Sequence, residues 1–515
     1  MPPQTPPGPA PLRPRTVGPV SLAAAFAGLD VRLPRDADSV AVTGVSLDSR
    51  TVATGELYVA LPGSRAHGAA FAGDAAARGA AAVLTDPEGV PACTASGLPT
   101  VVADDPRRIM AAASARVFPS GSLTLFGITG TNGKTTTAFL LEAALRASGH
   151  RVGTVGTIGF RLDGEALAGG RTTVTTPESP DLMALLAVFA ERGARDVVME
   201  VSSHALALRR VDGVHFAVAA FMNLGRDHLD FHHTMEAYFE AKAMLFEPGR
   251  CDVAVVNVDD PYGRRLADRV TASGAARLVT TGTGEGADYR ILGWQPTARG
   301  SRVEMATPTG NRRFDLGMPG DYNVRNAVAA LAMAEAAGVD LDAAASGLAD
   351  AQVPGRMQVV DLGPGAPRVV VDFAHTPQAI ESVLSSLPPG GPVVAVVGAG
   401  GDRDVYKRGP MGASAGAGAD VVIVTDDNPR TEDPAGIRAG VLEGARAATR
   451  PRAVLEVPDR RGAIAEGLRR ARPHGIVAIL GKGHEQGQEV GGRVLPFDDV
   501  AVARECWAVV TEEAR

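Results

Sequence analysis

The chain has 515 residues, a formal net charge of -7, 45% hydrophobic residues and 21% charged residues. This length predicts about three domains at roughly 150 residues each, and the composition excludes a fibrous or largely disordered chain. The excess of acidic residues argues against nucleic-acid binding, because binding to a phosphate backbone needs clustered positive charge.

The first 16 residues contain seven prolines and are predicted to form a disordered tail. No apolar run reaches the roughly 18 residues that cross a bilayer, so we expect no membrane span. The three cysteines, Cys93, Cys251 and Cys506, are far apart in the chain, so they lack the spacing of a disulfide framework or a zinc site. Scattered single cysteines are typical of proteins in a reducing cytoplasm. We therefore expect a cytoplasmic protein.

Residues 17–122 are predicted to form a small mixed α/β domain. Short apolar runs at 57–61 (LYVAL) and 81–84 (AAVL) are strand candidates, and turn residues and alanine-rich helical stretches separate them.

Residues 123–353 are predicted to form a central domain with a doubly wound parallel sheet. An apolar strand at 123–128 is followed by a glycine-rich loop and a helix, whose apolar face carries Ala138, Leu141 and Leu145 before a capping Gly149. Further buried-strand candidates are separated by segments of helical length and lie at 197–201, 217–221 and 253–256.

Residues 354–515 are predicted to form a third domain, a Rossmann-like α/β sheet. Its strand candidates lie at 369–371, 393–397, 421–424 and 476–480. The fold class expected for the whole chain is therefore α/β with three domains.

The strongest local motif is GTNGKTT at 130–136, placed between a strand and a helix. Glycines let backbone N–H groups turn toward phosphate, Lys134 adds a full positive charge, and the Thr135 hydroxyl can bind Mg²⁺. The alternative is a glycine-rich turn without a ligand, since the usual glycine five residues before Gly133 is replaced by Ile128.

Two further candidates follow neighbouring strands. Glu200 ends the run VVME at 197–200, within the strand candidate 197–201, and His228 follows the strand candidate at 217–221. Both can therefore lie beside the phosphate loop, where ligands of open α/β sheets gather. Carboxylate and hydroxyl oxygens suit Mg²⁺, and histidine is a less usual ligand for it. The alternatives are a structural ion pair or cap for Glu200 and a hydrogen-bonded loop histidine for His228.

Together with EVSSH at 200–204, DHLD at 227–230 and YFEAK at 238–242, these segments resemble the Mur ligases, the ATP-dependent amide-forming enzymes of peptidoglycan precursor synthesis. The resemblance runs from about residue 40 to the C-terminus. It implies three domains, ATP as co-substrate, Mg²⁺ as cofactor, small-molecule substrates and a monomeric chain.

The resemblance also implies site residues. Those of the ATP site are Gly130, Thr131, Asn132, Gly133, Lys134, Thr135, Thr136, Asn323, Asn326, Arg356 and Asp372. Those expected to hold a uridine-diphosphate muramoyl peptide are Leu47, Ser49, Thr175, Thr176, Ser202 and Arg210. Lys242 matches a lysine that the family carries as a carbamate, which would join Thr135, Glu200 and His228 as a metal ligand. The expected catalytic residues are Lys134, Glu200, His228 and Lys242.

The third domain is expected to select the added amino acid. Diaminopimelate has a distal carboxylate, which Arg430 and Arg403 could bind, and a distal ammonium, which Glu485 and Asp427 could bind. The motif DNPR at 427–430 resembles that of the diaminopimelate-adding members of the family, so Asn428 and Gly481 join the expected contacts. Either the meso or the LL form fits, because these loops fix charges and leave the stereocentre open.

The resulting expectation is an ATP-dependent ligase. It would add diaminopimelate to the γ-carboxylate of D-glutamate in UDP-N-acetylmuramoyl-L-alanyl-D-glutamate through an acyl phosphate. The alternatives are a related ligase that adds lysine, a folylpolyglutamate synthase, and a nucleotide-binding scaffold without activity. Ala399, Tyr406, Phe373 and Gln358 depart from residues that are usual in the family and affect the expected loop shapes.

Overall fold

The computed structural model describes residues 12–63, 66–167, 174–297, 300–388 and 390–512. By its internal contacts the chain divides into two compact units. The first comprises Met1–Gly293, Glu304–Phe314 and Arg325–Leu348, and the second comprises Trp294–Val303, Asp315–Val324 and Ala349–Arg515. The N-terminal and central domains expected from the sequence thus share one unit, because their apolar side chains form one continuous cluster.

The predicted proline-rich tail is only partly visible. Residues 1–11 lie outside the described residues. Residues 12–16, which the sequence also assigned to the tail, form specific hydrogen bonds. The Arg13 guanidinium pairs with Glu56 at 2.8 Å and with Asp181 at 3.0 Å. These two ion pairs therefore hold the segment that contains Arg13 on the first unit.

The N-terminal part of the first unit contains a four-stranded sheet and a separate pair of strands, with helices around them. Its strands are β1 (Val20–Ser21), β2 (Ala41–Val42), β3 (Gly44–Ser46), β4 (Glu56–Ala60), β5 (Ala82–Thr85) and β6 (Thr100–Val102). Its helices are α1 (Leu22–Ala25), α2 (Ala72–Ala77), α3 (Val90–Ala95) and α4 (Pro106–Val117). The strands β3 to β6 pair in parallel in chain order, while β1 and β2 form a separate antiparallel pair. The predicted strands at 57–61 and 81–84 are confirmed.

The central segment forms an eleven-stranded sheet. Its strands are β7 (Thr124–Thr129), β8 (Val152–Gly156), β9 (Gly159–Leu162), β10 (Glu165–Ala166), β11 (Asp196–Glu200), β12 (Phe216–Phe221), β13 (Cys251–Asn257), β14 (Arg277–Gly282), β15 (Tyr289–Pro296), β16 (Ser301–Thr307) and β17 (Gly310–Leu316). Its helices are α5 (Lys134–Ala147), α6 (Ser179–Glu191), α7 (Ser203–Ala207), α8 (Leu229–His232), α9 (Met235–Ala243), α10 (Pro261–Ser273), α11 (Asp321–Ala336) and α12 (Leu341–Ser346).

Strand order explains why the candidate residues of this segment meet. β7 lies between β11 and β12, and all three are parallel. Glu200 is registered with Ile128, and Phe221 with Thr129, so the loops that follow these strands leave the same edge of the sheet. The parallel sheet is confirmed. The antiparallel edge formed by β8, β9 and β10 was not predicted, because glycines interrupt its short strands.

The C-terminal segment is a second doubly wound sheet. Its strands are β18 (Gln358–Val360), β19 (Arg368–Asp372), β20 (Val393–Val397), β21 (Val421–Val424), β22 (Ala453–Glu456), β23 (Ile476–Leu480), β24 (Gly487–Val490) and β25 (Arg493–Pro496). Its helices are α13 (Pro377–Ser385), α14 (Arg408–Gly418), α15 (Pro434–Ala447), α16 (Arg460–Arg470) and α17 (Asp499–Glu512).

The order of the main sheet is β18-β19-β23-β20-β21-β22, with β18 antiparallel to the others. Val393, Ala395 and Val397 pack into the apolar cluster on one face, and Val394 and Val396 pack into the cluster on the other. Both faces are therefore covered, which explains the uninterrupted apolar strands of the sequence. Within the described part of the chain, no helix is both long and apolar enough to cross a bilayer.

Candidate active site

The loop between β7 and α5 has the geometry of a phosphate cradle. Gly130 and Gly133 have φ angles of 157° and 88°, and a Cβ at Gly133 would lie 2.5 Å from the side-chain oxygen of Asn326. Glycine is therefore required at this turn. The Lys134 ammonium folds over the loop and donates to the carbonyls of Gly130 at 2.7 Å and Thr131 at 3.0 Å. As the first residue of α5, Lys134 adds its charge to a helix N-terminus, which favours anions.

Two residues outside the predicted site hold this loop in shape. The Asn223 side chain accepts from the backbone N–H of Asn132 at 2.9 Å and donates to its carbonyl at 3.1 Å. The Tyr238 hydroxyl lies 3.2 Å from the hydroxyl of Thr131. The sequence motifs contain both residues but do not reveal this role, because Asn223 and Asn132 are 91 residues apart in the chain.

Glu200 ends β11 as a buried, hydrogen-bonded carboxylate. The Thr135 hydroxyl donates to it at 2.9 Å, and Thr157 donates from its backbone N–H at 2.9 Å and from its hydroxyl at 3.1 Å. A Cβ at Gly156 would lie only 2.2 Å from this carboxylate, so the neighbouring strand leaves room for it. Thr135 and Glu200 thus lie together beside the phosphate loop, and their function as metal ligands stays a prediction.

His228 lies in the loop after β12 with a side chain that is 44% exposed. Its ring stands edge-on to that of His204, with the centroids 4.8 Å apart. Burial lowers the pKa of His228, and the charge of Lys134 acts in the same direction, while Asp227 opposes this shift. A lowered pKa favours the neutral imidazole, which keeps a lone pair available for a metal ion.

Lys242, on α9, is buried beside the phosphate loop. Only 1% of the residue is exposed, and its Nζ donates to the Gly130 carbonyl at 2.9 Å. Burial and the charge of Lys134 lower the pKa of Lys242 well below its ordinary value, against a weaker opposite effect of Asp227. This shift makes the uncharged amine more accessible than in an exposed lysine, and the uncharged amine is the form that can react with CO₂.

The side-chain oxygen atoms of Thr135 and Glu200 suit Mg²⁺ only together with further ligands. Within the described residues, no group of three or more histidine, cysteine or acidic side chains forms a ready metal cage. Thr135 and Glu200 offer two side-chain oxygen atoms that lie 2.9 Å apart. Mg²⁺ is commonly bound by one or two carboxylates together with substrate phosphates and water, so this sparse oxygen set suits it.

Three predicted contacts of the muramoyl peptide lie around Glu200. The Thr176 hydroxyl donates to the Glu200 carbonyl at 2.8 Å and accepts from the Ser202 N–H at 3.1 Å. The hydroxyls of Thr175 and Thr157 are 3.2 Å apart. The structure therefore brings Thr175, Thr176 and Ser202 to the edge that carries the phosphate loop.

Arg210 is held at the same place. It donates to the Thr176 carbonyl at 3.1 Å and pairs with Glu178 at 2.9 Å. Arg107 pairs with the other carboxylate oxygen of Glu178 at 2.8 Å. Two guanidinium groups thus share one carboxylate, which leaves a local positive excess suited to an anionic ligand.

Leu47 and Ser49 lie in the turn after β3. Ser49 is 7% exposed, and the Asp48 carboxylate accepts from the Arg50 backbone at 3.0 Å and from its guanidinium at 2.7 Å. The strand β3 packs against α6, the helix that starts directly after Glu178. The predicted nucleotide segment and the Thr175–Thr176 region are therefore connected through one helix.

Asn326 belongs to the first unit and lies against Gly133, as described above. Asn323 belongs to the second unit and is fully buried. Its amide nitrogen donates to the Pro319 carbonyl at 2.7 Å, whereas its amide oxygen has no hydrogen-bond partner among the described residues. The structure thus gives the two asparagines, which were predicted as a pair, different surroundings.

Arg356 and Asp372 lie together in the second unit. Asp372 accepts from the Met357 N–H at 2.7 Å, and burial raises its pKa, while the charge of Arg356 opposes that rise. The Arg356 guanidinium stacks over the Phe373 ring at 4.4 Å. Phe373, which departs from the family pattern, therefore serves as the platform for a predicted ATP contact.

The loops after β20, β21 and β23 form a charge cluster in the second unit. We define the C-terminal charge cluster by its members, Arg403, Asp427, Asn428, Arg430, Gly481, Lys482, Glu485 and Glu489. A Cβ at Gly400 would lie 3.0 Å from Arg430 and 3.9 Å from Arg403, so the two predicted arginines flank one glycine. A Cβ at Gly481 would lie 2.2 Å from the Asp427 carboxylate. The predicted members are thus brought together.

Two members of this cluster were not predicted. Glu489 pairs with Arg430 at 3.1 Å, and Lys482, which is 0% exposed, pairs with Glu485 at 3.1 Å.

A signal for Lys482 existed in the composition. Only four of the 51 basic residues are lysines, and Lys134, Lys242 and Lys482 are three of them. In such an arginine-rich chain, a lysine at a strand end is worth testing as a functional residue.

Comparison with known proteins agrees with this geometry. Three family models match the chain: the Mur ligase family, catalytic domain at residues 41–118, the Mur ligase middle domain at 128–334, and the Mur ligase, glutamate ligase domain at 355–483. A UDP-N-acetylmuramoyl-L-alanyl-D-glutamate–2,6-diaminopimelate ligase of Streptomyces coelicolor is 46% identical over 508 residues, which cover 96% of this chain and 98% of the relative.

Solved structures give the same result. A structure of a UDP-N-acetylmuramoyl-L-alanyl-D-glutamate–2,6-diaminopimelate ligase has a TM-score of 0.70 and 34% identity, and covers 97% of this chain and 100% of its own. The MurF ligase from Thermotoga maritima in complex with ADP shares the fold with a TM-score of 0.61 at 20% identity, and covers 92% of this chain and 99% of its own. Matches of this extent, along nearly the whole chain, make the protein a member of the Mur ligase family.

Proposed function

We propose that the protein is the ATP-dependent ligase that joins diaminopimelate to the γ-carboxylate of D-glutamate in UDP-N-acetylmuramoyl-L-alanyl-D-glutamate. The observation that carries this proposal is the C-terminal charge cluster, where two arginines and two acidic side chains lie within one set of loops. Such a set complements an amino acid whose far end carries both a carboxylate and an ammonium. The name of the Streptomyces coelicolor relative, at 46% identity, supports the same substrate.

The phosphate loop supplies the first half of the reaction. A γ-carboxylate oxygen of the substrate attacks the γ-phosphorus of ATP, which forms an acyl phosphate and releases ADP. Lys134 and the backbone N–H groups at the start of α5 stabilise the charge that builds on the transferred phosphoryl group. Arg210, with its share of positive charge beside Thr176, orients the peptide acid.

The second half forms the amide. An amino group of diaminopimelate attacks the acyl carbon, and phosphate leaves with the oxygen that came from the carboxylate. The amine gives up a proton to the released phosphate or to water. Because the acyl group passes directly from the phosphate oxygen to this nitrogen, no covalent enzyme intermediate is needed. The C-terminal charge cluster fixes the far end of the amino acid and thereby the position of the attacking nitrogen.

Mg²⁺ and a carbamate on Lys242 belong to this proposal. The neutral Lys242 amine would add to CO₂ and lose a proton, giving an anionic oxygen ligand in place of a cation. Glu200, Thr135 and His228 would complete the ligands, and the bound Mg²⁺ would neutralise phosphate charge. Asn326 beside the phosphate loop, and Asn323, Arg356 and Asp372 in the second unit, are proposed ATP contacts, and Leu47 and Ser49 are proposed contacts of the uridine diphosphate. A monomeric, cytoplasmic enzyme remains our expectation.

The direct test is a reconstituted reaction. The purified protein is incubated with ATP, Mg²⁺, the dipeptide nucleotide and either meso- or LL-diaminopimelate, and the tripeptide nucleotide is detected by mass spectrometry. We expect ADP and amide product in equal amounts with one of the isomers. Lys134→Met should abolish both, whereas Arg265→Met, which removes an exposed cation paired with Glu236, should not.

The competing functions predict other results. Product only with lysine would change the amino acid, and product only with a folate and glutamate would establish a folylpolyglutamate synthase. Absence of substrate-dependent ATP turnover, with nucleotide binding intact, would favour a scaffold.

A further inference from the structure

Lys482 occupies the centre of the C-terminal charge cluster. The residue is completely buried, and its Nζ donates to Glu485 at 3.1 Å and to the Asn428 side-chain oxygen at 3.1 Å. The Asp427 carboxylate lies 3.9 Å away. An internal ammonium thus already contacts the two carboxylates that were expected to bind the ammonium of the substrate.

The contacts of Lys482 fix the orientations of the Asn428 and Glu485 side chains. The Asn428 oxygen accepts from Lys482 and from the Glu489 N–H at 2.9 Å, and the Asn428 nitrogen donates to the same Glu485 oxygen that Lys482 contacts, at 2.7 Å. One oxygen of Glu485 is therefore used internally. The Glu485 side chain is still 34% exposed, so its other oxygen is left to face a ligand.

Lys482 adds one positive charge beside the acidic members of the cluster. The Asp402 carboxylate lies at the side of Arg430 and Arg403 and bonds to Thr431 at 3.1 Å. The adjacent Arg460–Asp499 pair, which is fully buried at 2.7 Å, is neutral on its own. Removal of Lys482 therefore leaves the cluster one charge more negative.

We propose that Lys482 is a specificity-determining residue that tunes this pocket to an amino acid with a neutral, zwitterionic far end. This inference rests on the proposed function. Diaminopimelate ends in a carboxylate and an ammonium, so its far end is neutral overall and the added positive charge of Lys482 does not repel it. Lysine ends in an ammonium alone, which that added charge repels. Lys482 therefore disfavours lysine by occupying the acidic groups and by adding its own positive charge.

The test compares the ratio of kcat/KM for diaminopimelate to kcat/KM for lysine in the wild type and in Lys482→Met. We expect the ratio to fall by about tenfold or more in the variant, because loss of one positive charge favours the lone ammonium of lysine and gives no such gain to a far end that is neutral overall. The KM for diaminopimelate should rise, while the KM values for ATP and the dipeptide nucleotide stay unchanged. Lys482→Arg, which keeps the charge, should retain most of the wild-type ratio.

Arg438→Met is the matched control, since Arg438 is a buried cation of the same unit that pairs with Asp426 at 2.5 Å and with Glu456 at 2.8 Å outside the cluster. Its ratio should equal that of the wild type. Circular dichroism checks folding, and Lys482→Gln, which keeps a hydrogen-bond donor without the charge, replaces the methionine variant if that one is unfolded.

Equal losses of activity toward both amino acids in Lys482→Met, or the same shift in ratio in Lys482→Arg, would overturn the inference, because Lys482 would then act only on structure. A wild-type enzyme that forms no product with diaminopimelate would instead overturn the proposed function, so the two failures are distinguishable.

Discussion

Lys242 and Lys482 are buried to nearly the same degree, with 1% and 0% of their surfaces exposed, but their surroundings differ. Lys242 meets a backbone carbonyl and the like charge of Lys134, whereas Lys482 meets the carboxylates of Glu485 and Asp427. A buried amine without an acidic partner is favoured in its neutral, nucleophilic form, and one with acidic partners acts as a fixed charge. The partners of a buried lysine, rather than its burial, therefore decide which chemistry it can serve.

The largest effect is expected for Lys242→Met. We expect activity to fall by about 1,000-fold, since the carbamate ligand can no longer form. We also expect the melting temperature to rise in CO₂-free buffer at pH 7, because the buried amine is destabilising and the Gly130 carbonyl keeps its hydrogen bond from Lys134.

The sign of the pH effect follows from the lowered pKa of Lys242. Because the pKa of Lys242 in the folded chain lies below the ordinary lysine value of 10.5, the unfolded chain binds more protons than the folded chain between those two values, and the stability of the wild type rises with pH over that range. The difference in melting temperature between the variant and the wild type should therefore shrink as the pH rises toward 10.5. A melting temperature that falls at pH 7 on removal of the amine would show that Lys242 is stabilising as a charge.

Arg430 is a charged member of the C-terminal charge cluster and pairs with Glu489. Arg430→Met should raise the KM for diaminopimelate by about 30-fold or more, because a hydrogen-bonded guanidinium that meets a carboxylate contributes a few kcal/mol. The KM for ATP should not change. Steady-state kinetics with each substrate varied in turn measures both values. Arg302→Met, which removes an exposed arginine paired with Asp315, serves as the control. Equal rises in the two KM values would mean that Arg430 shapes the unit as a whole.

Asn223 tests whether the phosphate loop is preorganised. Asn223→Ala removes two side-chain hydrogen bonds to the Asn132 backbone, so we expect the KM for ATP to rise by about tenfold with kcat less affected. Isothermal titration with a non-hydrolysable ATP analogue measures the binding loss directly. An unchanged affinity would show that the loop keeps its shape without this brace.

The smallest effect is expected at Arg13, a largely buried cation that pairs with carboxylates. Arg13→Met should lower the free energy of unfolding by about 1 to 3 kcal/mol, since Glu56 and Asp181 lose their partner. Urea denaturation gives this value, with Arg15→Met as a control at the neighbouring position. The sign is opposite to that expected for Lys242→Met, and a stabilised Arg13 variant would contradict the general rule drawn from the two lysines.

Much of the fold could be predicted from the sequence, because buried parallel strands form uninterrupted apolar runs. The strands at 124–129, 393–397, 421–424 and 476–480 stand out for this reason. The edge hairpins did not stand out. The strands β24 (GQEV) and β25 (RVLP) are short, β25 is exposed along its whole length, and neither alternates polar with apolar residues in the way that marks an edge strand.

The candidate site was predictable where a motif lies at the end of a strand, as with Lys134, Glu200 and Asp427. The residues that hold the phosphate loop in shape and the residue that pairs with Arg430 were not predictable, because these contacts join segments that are distant in the chain. Asn223, Tyr238 and Glu489 become visible only in three dimensions. For Lys482 the sequence offered only the rarity of lysine in the chain.

Isotopic labelling of the substrate carboxylate tests directly whether ATP activates that group as an acyl phosphate. The dipeptide nucleotide is labelled with ¹⁸O in its γ-carboxylate and is incubated with the enzyme, ATP, Mg²⁺ and diaminopimelate, and the released phosphate and the product are analysed by mass spectrometry. We predict one ¹⁸O atom in each phosphate and a tripeptide nucleotide that has lost one ¹⁸O atom. Phosphate without label, while the amide still forms, would contradict activation of the carboxylate by ATP.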